Sequence, residues 1–181
     1  MDFFYLLNKK IIKRHKINPI LIFLLVFLCL GLPASTKTAN ADQISICVAI
    51  ASQEFGISQD LIYKIIEAES DFDPNAVSRV DARGLMQITR RTWNWICNDY
   101  LHVDWDFDTY SFDPDKNIQV GTRFLKWISD YLDNYKADLN DTKHNLVLAC
   151  YNAGPGAVRN YDFQIPPYPE TRNYVKKIND L

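Results

Sequence analysis

The sequence predicts a mainly α-helical domain behind an N-terminal export segment. Three observations carry this. Beyond residue 42, apolar side chains recur at helical spacing. Gly, Ser and Pro punctuate those stretches where helices start and stop. The composition, 48% hydrophobic and 23% charged over 181 residues, is that of a globular chain and excludes a disordered or fibrous one.

The first element is a leader. Lys9, Lys10, Lys13, Arg14 and Lys16 precede the apolar run Pro19 to Leu30, which is too brief for a membrane span and reads as a secretory signal. Ala39-Asn40-Ala41 supplies a small-x-small cleavage site, with an alternative near Ala34-Ser35. The expected division is therefore 1–41, a signal peptide or, alternatively, an uncleaved inner-membrane anchor, and 42–181, the functional domain in the periplasm. Leu28 before Cys29 is too bulky for lipoprotein processing. Removal of 1–41 takes six of 20 Lys+Arg and one of 22 Asp+Glu, leaving 14 against 21, a net charge of −7. That balance argues against nucleic acid, whose binders usually carry a basic patch, and is compatible with a polysaccharide.

Within 42–181, Ile44, Cys47, Val48, Ala51 and Phe55 predict a helix stopped by Gly56. Ser58 is the expected N-cap of a second helix bearing Leu61, Ile62, Ile65 and Ile66, ended by Pro74. A loop through Asn75, Ser78, Asp81 and Gly84 leads to Leu85-Met86-Gln87-Ile88. Further helices are expected from near Arg91, from near Ile118 after the turn Asp113-Pro114, and over 142–152. Pro166, Pro167 and Pro169 exclude a helix across that stretch, but Pro169 fits the first turn of a last one through Tyr174 and Val175. Of Cys47, Cys97 and Cys150, the last sits in an apolar run and reads as a buried hydrophobe, leaving Cys47 with Cys97 as the expected pair.

Glu69 is the most informative residue. It lies four positions after Ile65 and eight after Leu61, on the same helix face as those apolar side chains, whereas Glu67 should face solvent. Desolvation raises a carboxyl pKa, which suits proton donation near neutral pH. A surface salt bridge is the bland alternative on this segment alone.

The company of Glu69 decides between them. Glu69-Ser70-x-Phe72-x-Pro74-x-Ala76-x-Ser78, Ala82-x-Gly84-Leu85-Met86-Gln87-Ile88, Tyr151-Asn152-Ala153-Gly154-Pro155-Gly156 and Pro167-x-x-Glu170-Thr171-x-x-Tyr174-Val175 follow one another. In that order they resemble the soluble lytic transglycosylase domain of the lysozyme-like superfamily, and Asp113-Pro114-x-x-Asn117-Ile118-x-x-Gly121 is similar to the element before that family's long helix. The resemblance implies a single lysozyme-like domain that cleaves the bond between N-acetylmuramic acid and N-acetylglucosamine in peptidoglycan, with Glu69 as acid and then base and the muramic C6 hydroxyl closing a 1,6-anhydro ring. It implies no metal and no organic cofactor. Gln87, Tyr151 and Asn152 are implied as the groups that hold the acetamido sugars and the cleaved bond, Met86 as a substrate contact, and Ser78 and Glu170 as substrate or loop contacts; for Gln87 a backbone bond, for Tyr151 a core position and for Glu170 a helix-end position are the alternatives.

A two-carboxylate hydrolase would need Asp71, Asp73 or Glu170 beside Glu69, and a non-catalytic glycan-binding scaffold is the competing class. The matched stretch nearly fills 42–181, so placement by a partner, such as a secretion or surface apparatus crossing the wall, is expected. Thr89-Arg90 stands where the family commonly has Met-Pro, Asp81 where glycine is common, and Cys150 where alanine is usual. Among the tryptophans, Trp105 is the expected groove wall and Trp127 is expected in the core.

Overall fold

The computed structural model describes residues 36–135 and 143–181. The chain divides between Ala41 and Asp42 into two units, and the hydrophobic core lies in the second, Asp42–Leu181. The expected signal or anchor lies outside the described residues except for 36–41, which fall within the first helix. Among the described residues no helix is long and apolar enough to cross a membrane.

Helix α1 (Thr36–Phe55) buries Ile44, Cys47, Val48 and Ala51 along one face, the expected stripe, and stops at Gly56, whose φ is +69°. Helix α2 (Gln59–Ser70) begins at Ser58, whose Oγ accepts the Leu61 N–H at 3.3 Å, and fully buries Ile62, Ile65 and Ile66. It ends four residues before Pro74: Asp71 and Phe72 both take left-handed φ values, 51° and 63°, and reverse the chain. Helix α3 (Arg90–Ile96) starts at the Thr89 cap and continues into a π-helical turn, Cys97–Leu101. A short α4 (Phe107–Tyr110) follows.

Helix α5 (Pro114–Tyr135) starts four residues before the predicted point, because Asp113-Pro114 is a helix start and not a free turn. Asp113 Oδ1 accepts the Lys116 N–H at 3.1 Å, and proline needs no donor in the first turn. Helix α6 (Lys143–Ala153) buries five consecutive residues, Leu146 to Cys150, and packs against α5, α7 (Pro155–Asn160) and α8 (Pro169–Asp180). A helix buried all round has no amphipathic face and becomes the axis of the core. Its last turn therefore delivers Tyr151 and Asn152 to the edge of that core. Among the described residues the β-structure is limited to isolated bridges, Val77 with Arg83 and Arg83 with Ile88.

The expected Cys47–Cys97 disulfide is absent. Both thiols, and that of Cys150, are free and buried, each used as a small apolar filler.

Candidate active site

Glu69 closes the last turn of α2, half-buried, with Glu67 exposed two positions before it. Burial pushes the Glu69 carboxyl up to about 7; nearby Tyr174 and Lys177 oppose the rise and Glu170 adds to it. These three come from α8, at positions spaced four and three apart and hence on one face of that helix. The Lys177 ammonium donates to the Ala68 carbonyl at 2.8 Å, fastening α8 to the end of α2 beside the carboxyl. The Tyr174 hydroxyl is buried next to Glu69 without a hydrogen bond of ordinary geometry. Tyr151 is a fourth neighbour: burial first, and the Glu69 charge second, hold its phenol well above its ordinary value.

The segment after α2 is built as a cradle. Ser70 Oγ donates to the carbonyls of Ile66 (3.0 Å) and Leu85 (2.8 Å), tying the Glu69 turn to the loop Gly84–Gln87. Arg83 and Ile88 exchange N–H···O=C bonds of 3.1 Å across that loop. Asn117, fully buried on α5, accepts the Met86 N–H at 2.8 Å and donates to the carbonyls of Arg83 (2.9 Å) and Ser111 (2.8 Å). Gly84 has φ +76°, and a Cβ there would collide with the Asn117 side chain and the Ser111 carbonyl. One turn further along α5, Gly121 leaves room for the Met86 side chain, which a Cβ would overlap.

The groove is formed beyond Tyr151. A concavity of about 760 Å³ is lined by the aromatic rings of Trp95, Phe124, Trp127 and Tyr151 and by Gly154, Pro155 and Gly156, with Thr89, Arg91 and Asn152 among the remaining residues. Trp95 packs edge-on to Trp127 with centroids 4.7 Å apart, and Phe124 and Trp127 stack at 6.3 Å. Glu69 itself is not in that lining; Tyr151 belongs both to the groove wall and to the surroundings of the carboxyl.

One aromatic assignment is thereby corrected. Trp127 packs against the core, as expected, and also lines the groove. Trp105 does not line it: its carbonyl accepts the indole N–H of buried Trp93 at 2.7 Å, and its ring lies 4.6 Å under the Lys116 ammonium. The expectation for Met86 is corrected too, since its side chain is fully buried against α5 and only its carbonyl reaches the site, accepting the Tyr151 hydroxyl at 2.7 Å.

The other predicted site residues divide by what holds them. Gln87, at φ 47°, donates through Nε2 to the carbonyls of Ala76 and Gly84, both at 3.0 Å, so the backbone alternative accounts for its amide nitrogen. Ser78 Oγ accepts the N–H groups of Val80 (3.3 Å) and Ala82 (3.0 Å) and staples the loop. Asn152 Oδ1 accepts the Thr171 hydroxyl at 2.8 Å, linking α6 to α8. Glu170 is exposed in the first turn of α8. Asp73 Oδ1 accepts the Asn75 N–H at 2.9 Å, a turn role, and Asp71 is the exposed left-handed residue after α2.

Spacing along the chain assigns no role to Tyr174 or Lys177, although both fall on the helix face of Glu170. Nor does it explain why the departures at Asp81 and Arg90 coexist. Asp81 has φ 59°, a conformation for which glycine is the usual choice and which Asp tolerates. Its carboxylate grips Arg83 at 2.7 Å, while Arg83 and Arg90 both bond Asp108, at 2.9 and 2.6 Å, and hold its carboxyl down to about 2.

The chain is similar to known proteins in sequence and in fold. The family model described as "Transglycosylase SLT domain" matches residues 46–165. A protein named membrane-bound lytic murein transglycosylase C, from Sodalis glossinidius, is 32% identical over 160 residues, covering 72% of this chain and 43% of that protein. The 70 kDa soluble lytic transglycosylase of Escherichia coli superposes with a TM-score of 0.64 at 27% identity, over 74% of this chain and 22% of that one. An inactive variant of lytic transglycosylase Slt from Pseudomonas aeruginosa gives 0.63 at 26%, over the same shares. The chain thus spans less than half the length of the curated relative. With the matched segment running from the buried face of α1 to the proline stretch before α8, the chain belongs to the transglycosylase SLT domain family and has its lysozyme-like fold.

Proposed function

We propose that this domain is a lytic transglycosylase of peptidoglycan in which Glu69 carries both proton transfers. The observation that carries the reading is a half-buried carboxyl, raised to about 7, set beside Tyr151, whose ring walls an aromatic groove. At neutral pH about half of the Glu69 side chains hold a proton, which is the form needed to protonate the oxygen between muramic acid and glucosamine as that bond breaks. The resulting carboxylate then takes the proton of the muramic C6 hydroxyl, and that oxygen closes on the anomeric carbon of its own ring. The product is a 1,6-anhydro end, and Glu69 returns to its acid form.

An internal hydroxyl held close to the reacting carbon replaces a diffusing water, so no second carboxylate is required. Asp73 is engaged in its turn and Asp71 is exposed, so of the three other candidate carboxylates Glu170, exposed at the start of α8, is the one whose charge reaches Glu69. The rings of Trp95, Phe124 and Trp127 offer flat apolar faces to sugar C–H groups. Asn152 and the free Oε1 side of Gln87 are the proposed polar contacts, and Ser78 and Glu170 the proposed loop supports around them. The substrate polymer places the reaction in the periplasm, and the name of the Sodalis relative supports a membrane-associated setting. A role in opening the wall for an envelope-spanning apparatus follows as a proposal, tested by assembly of that apparatus in a Glu69→Gln strain.

Mass spectrometry of sugars released from purified peptidoglycan tests the chemistry. The protein should release anhydromuropeptides, and Glu69→Gln should lower the rate by at least roughly 10²-fold. Reducing ends would make it a hydrolase, and absence of product from both proteins would leave a glycan-binding scaffold.

A further inference from the structure

Of all the residues that line the groove, Arg91 alone carries a formal charge. Its side chain is exposed, and among the described residues no carboxylate pairs with it. Its neighbours in sequence and space are treated differently: Arg83 and Arg90 are both engaged by Asp81 and Asp108. Arg91 also sits in the first turn of α3, which holds no acidic residue. A cation without an ionic partner, in a groove of a domain of net charge −7 over 42–181, stands where a ligand would meet it.

The glycines of the same lining leave space for such a ligand. A Cβ built on Gly154 or Gly156 would meet nothing within 4 Å. The sugar rings themselves give a guanidinium nothing anionic to hold, since their hydroxyl and acetamido groups are neutral. Muramic acid differs from glucosamine by a lactyl ether whose carboxyl is either free or amide-linked to a peptide that carries carboxylates of its own. We propose that Arg91 is a specificity residue that binds a carboxylate carried by the muramic acid side of the strand in this groove. This rests on the peptidoglycan reading above. Guanidinium is suited to the task because its fork matches a carboxylate in two parallel hydrogen bonds.

The test separates this proposal from the reaction. The full chain bearing Glu69→Gln is co-sedimented with insoluble peptidoglycan in three forms: intact, stripped of peptides by an amidase so that lactyl carboxylates are free, and with all carboxylates capped as methylamides. Adding Arg91→Ala should weaken binding to a carboxylate-bearing form by roughly tenfold, Arg91→Lys should recover part of it, and the gap should close on the capped strand and shrink with added salt. A gap on intact strands alone assigns the peptide carboxylates, and one on stripped strands assigns the lactyl group. Equal binding with and without Arg91 on every form, or an equal loss on the capped strand, overturns the proposal. Sugar release is scored separately with Glu69 intact: failure there removes the transglycosylase reading while the binding comparison still decides Arg91.

Discussion

The Glu69 carboxyl links catalysis and stability through one pKa. Because burial raises it from the ordinary carboxylate range to about 7, the folded chain keeps a proton between those values that the unfolded chain has lost. Folding stability therefore falls as pH rises through that window, and the full cost is present above pH 8. Glu69→Gln removes the ionisable group, so it should melt several degrees higher than the parent at pH 8, a difference on the order of 1–3 kcal/mol, and about equally at pH 4. Sugar release, which needs the acid form, should decline on the alkaline side of pH 7. Lys177 lowers the Glu69 pKa, so Lys177→Met should move that alkaline limb upward. An unmoved limb in the pH–rate profile would show that Lys177 only fastens α8.

At the scale of elements, α5 and the loop Gly84–Gln87 act as one part. Asn117→Ala would strand the Met86 N–H and two backbone carbonyls in the interior, and should cost about 2–4 kcal/mol in thermal or denaturant unfolding. Gly121→Ala drives a methyl into Met86 and should cost about 1–3 kcal/mol. Both should slow sugar release more than they shift overall helix content, because Tyr151 takes its position from the Met86 carbonyl. The helices themselves were legible in the sequence: the Ile44 to Phe55 stripe, the Ser58 cap and the Pro169 start all stand where spacing and side-chain chemistry put them. Loop boundaries were less so. Asp113-Pro114 reads equally as a turn or as a helix start, and only the buried demand for Asn117 one turn later decides it.

For the molecule as a whole, the site was legible in its acid and not in its walls. Glu69 announced itself through its helix face, whereas the groove wall fell to Trp127 and not to Trp105, because which face of a tryptophan meets solvent depends on packing between α3 and α5 that periodicity does not record. The free, buried thiols of Cys47, Cys97 and Cys150 carry a different consequence. Burial pushes Cys97 up to about 11 and Cys150 up to about 12, and raises Cys47, so at neutral pH almost no thiolate exists to react. A thiol reagent can then modify them only when the fold opens, and the labelling rate becomes a clock for that opening. All three should label together and slowly in the native protein; rapid labelling of Cys47 alone would show that α1 detaches by itself. The same chemistry means that each excursion from the native state in an oxidising setting risks a wrong disulfide, so this domain's lifetime there is set by how seldom it breathes.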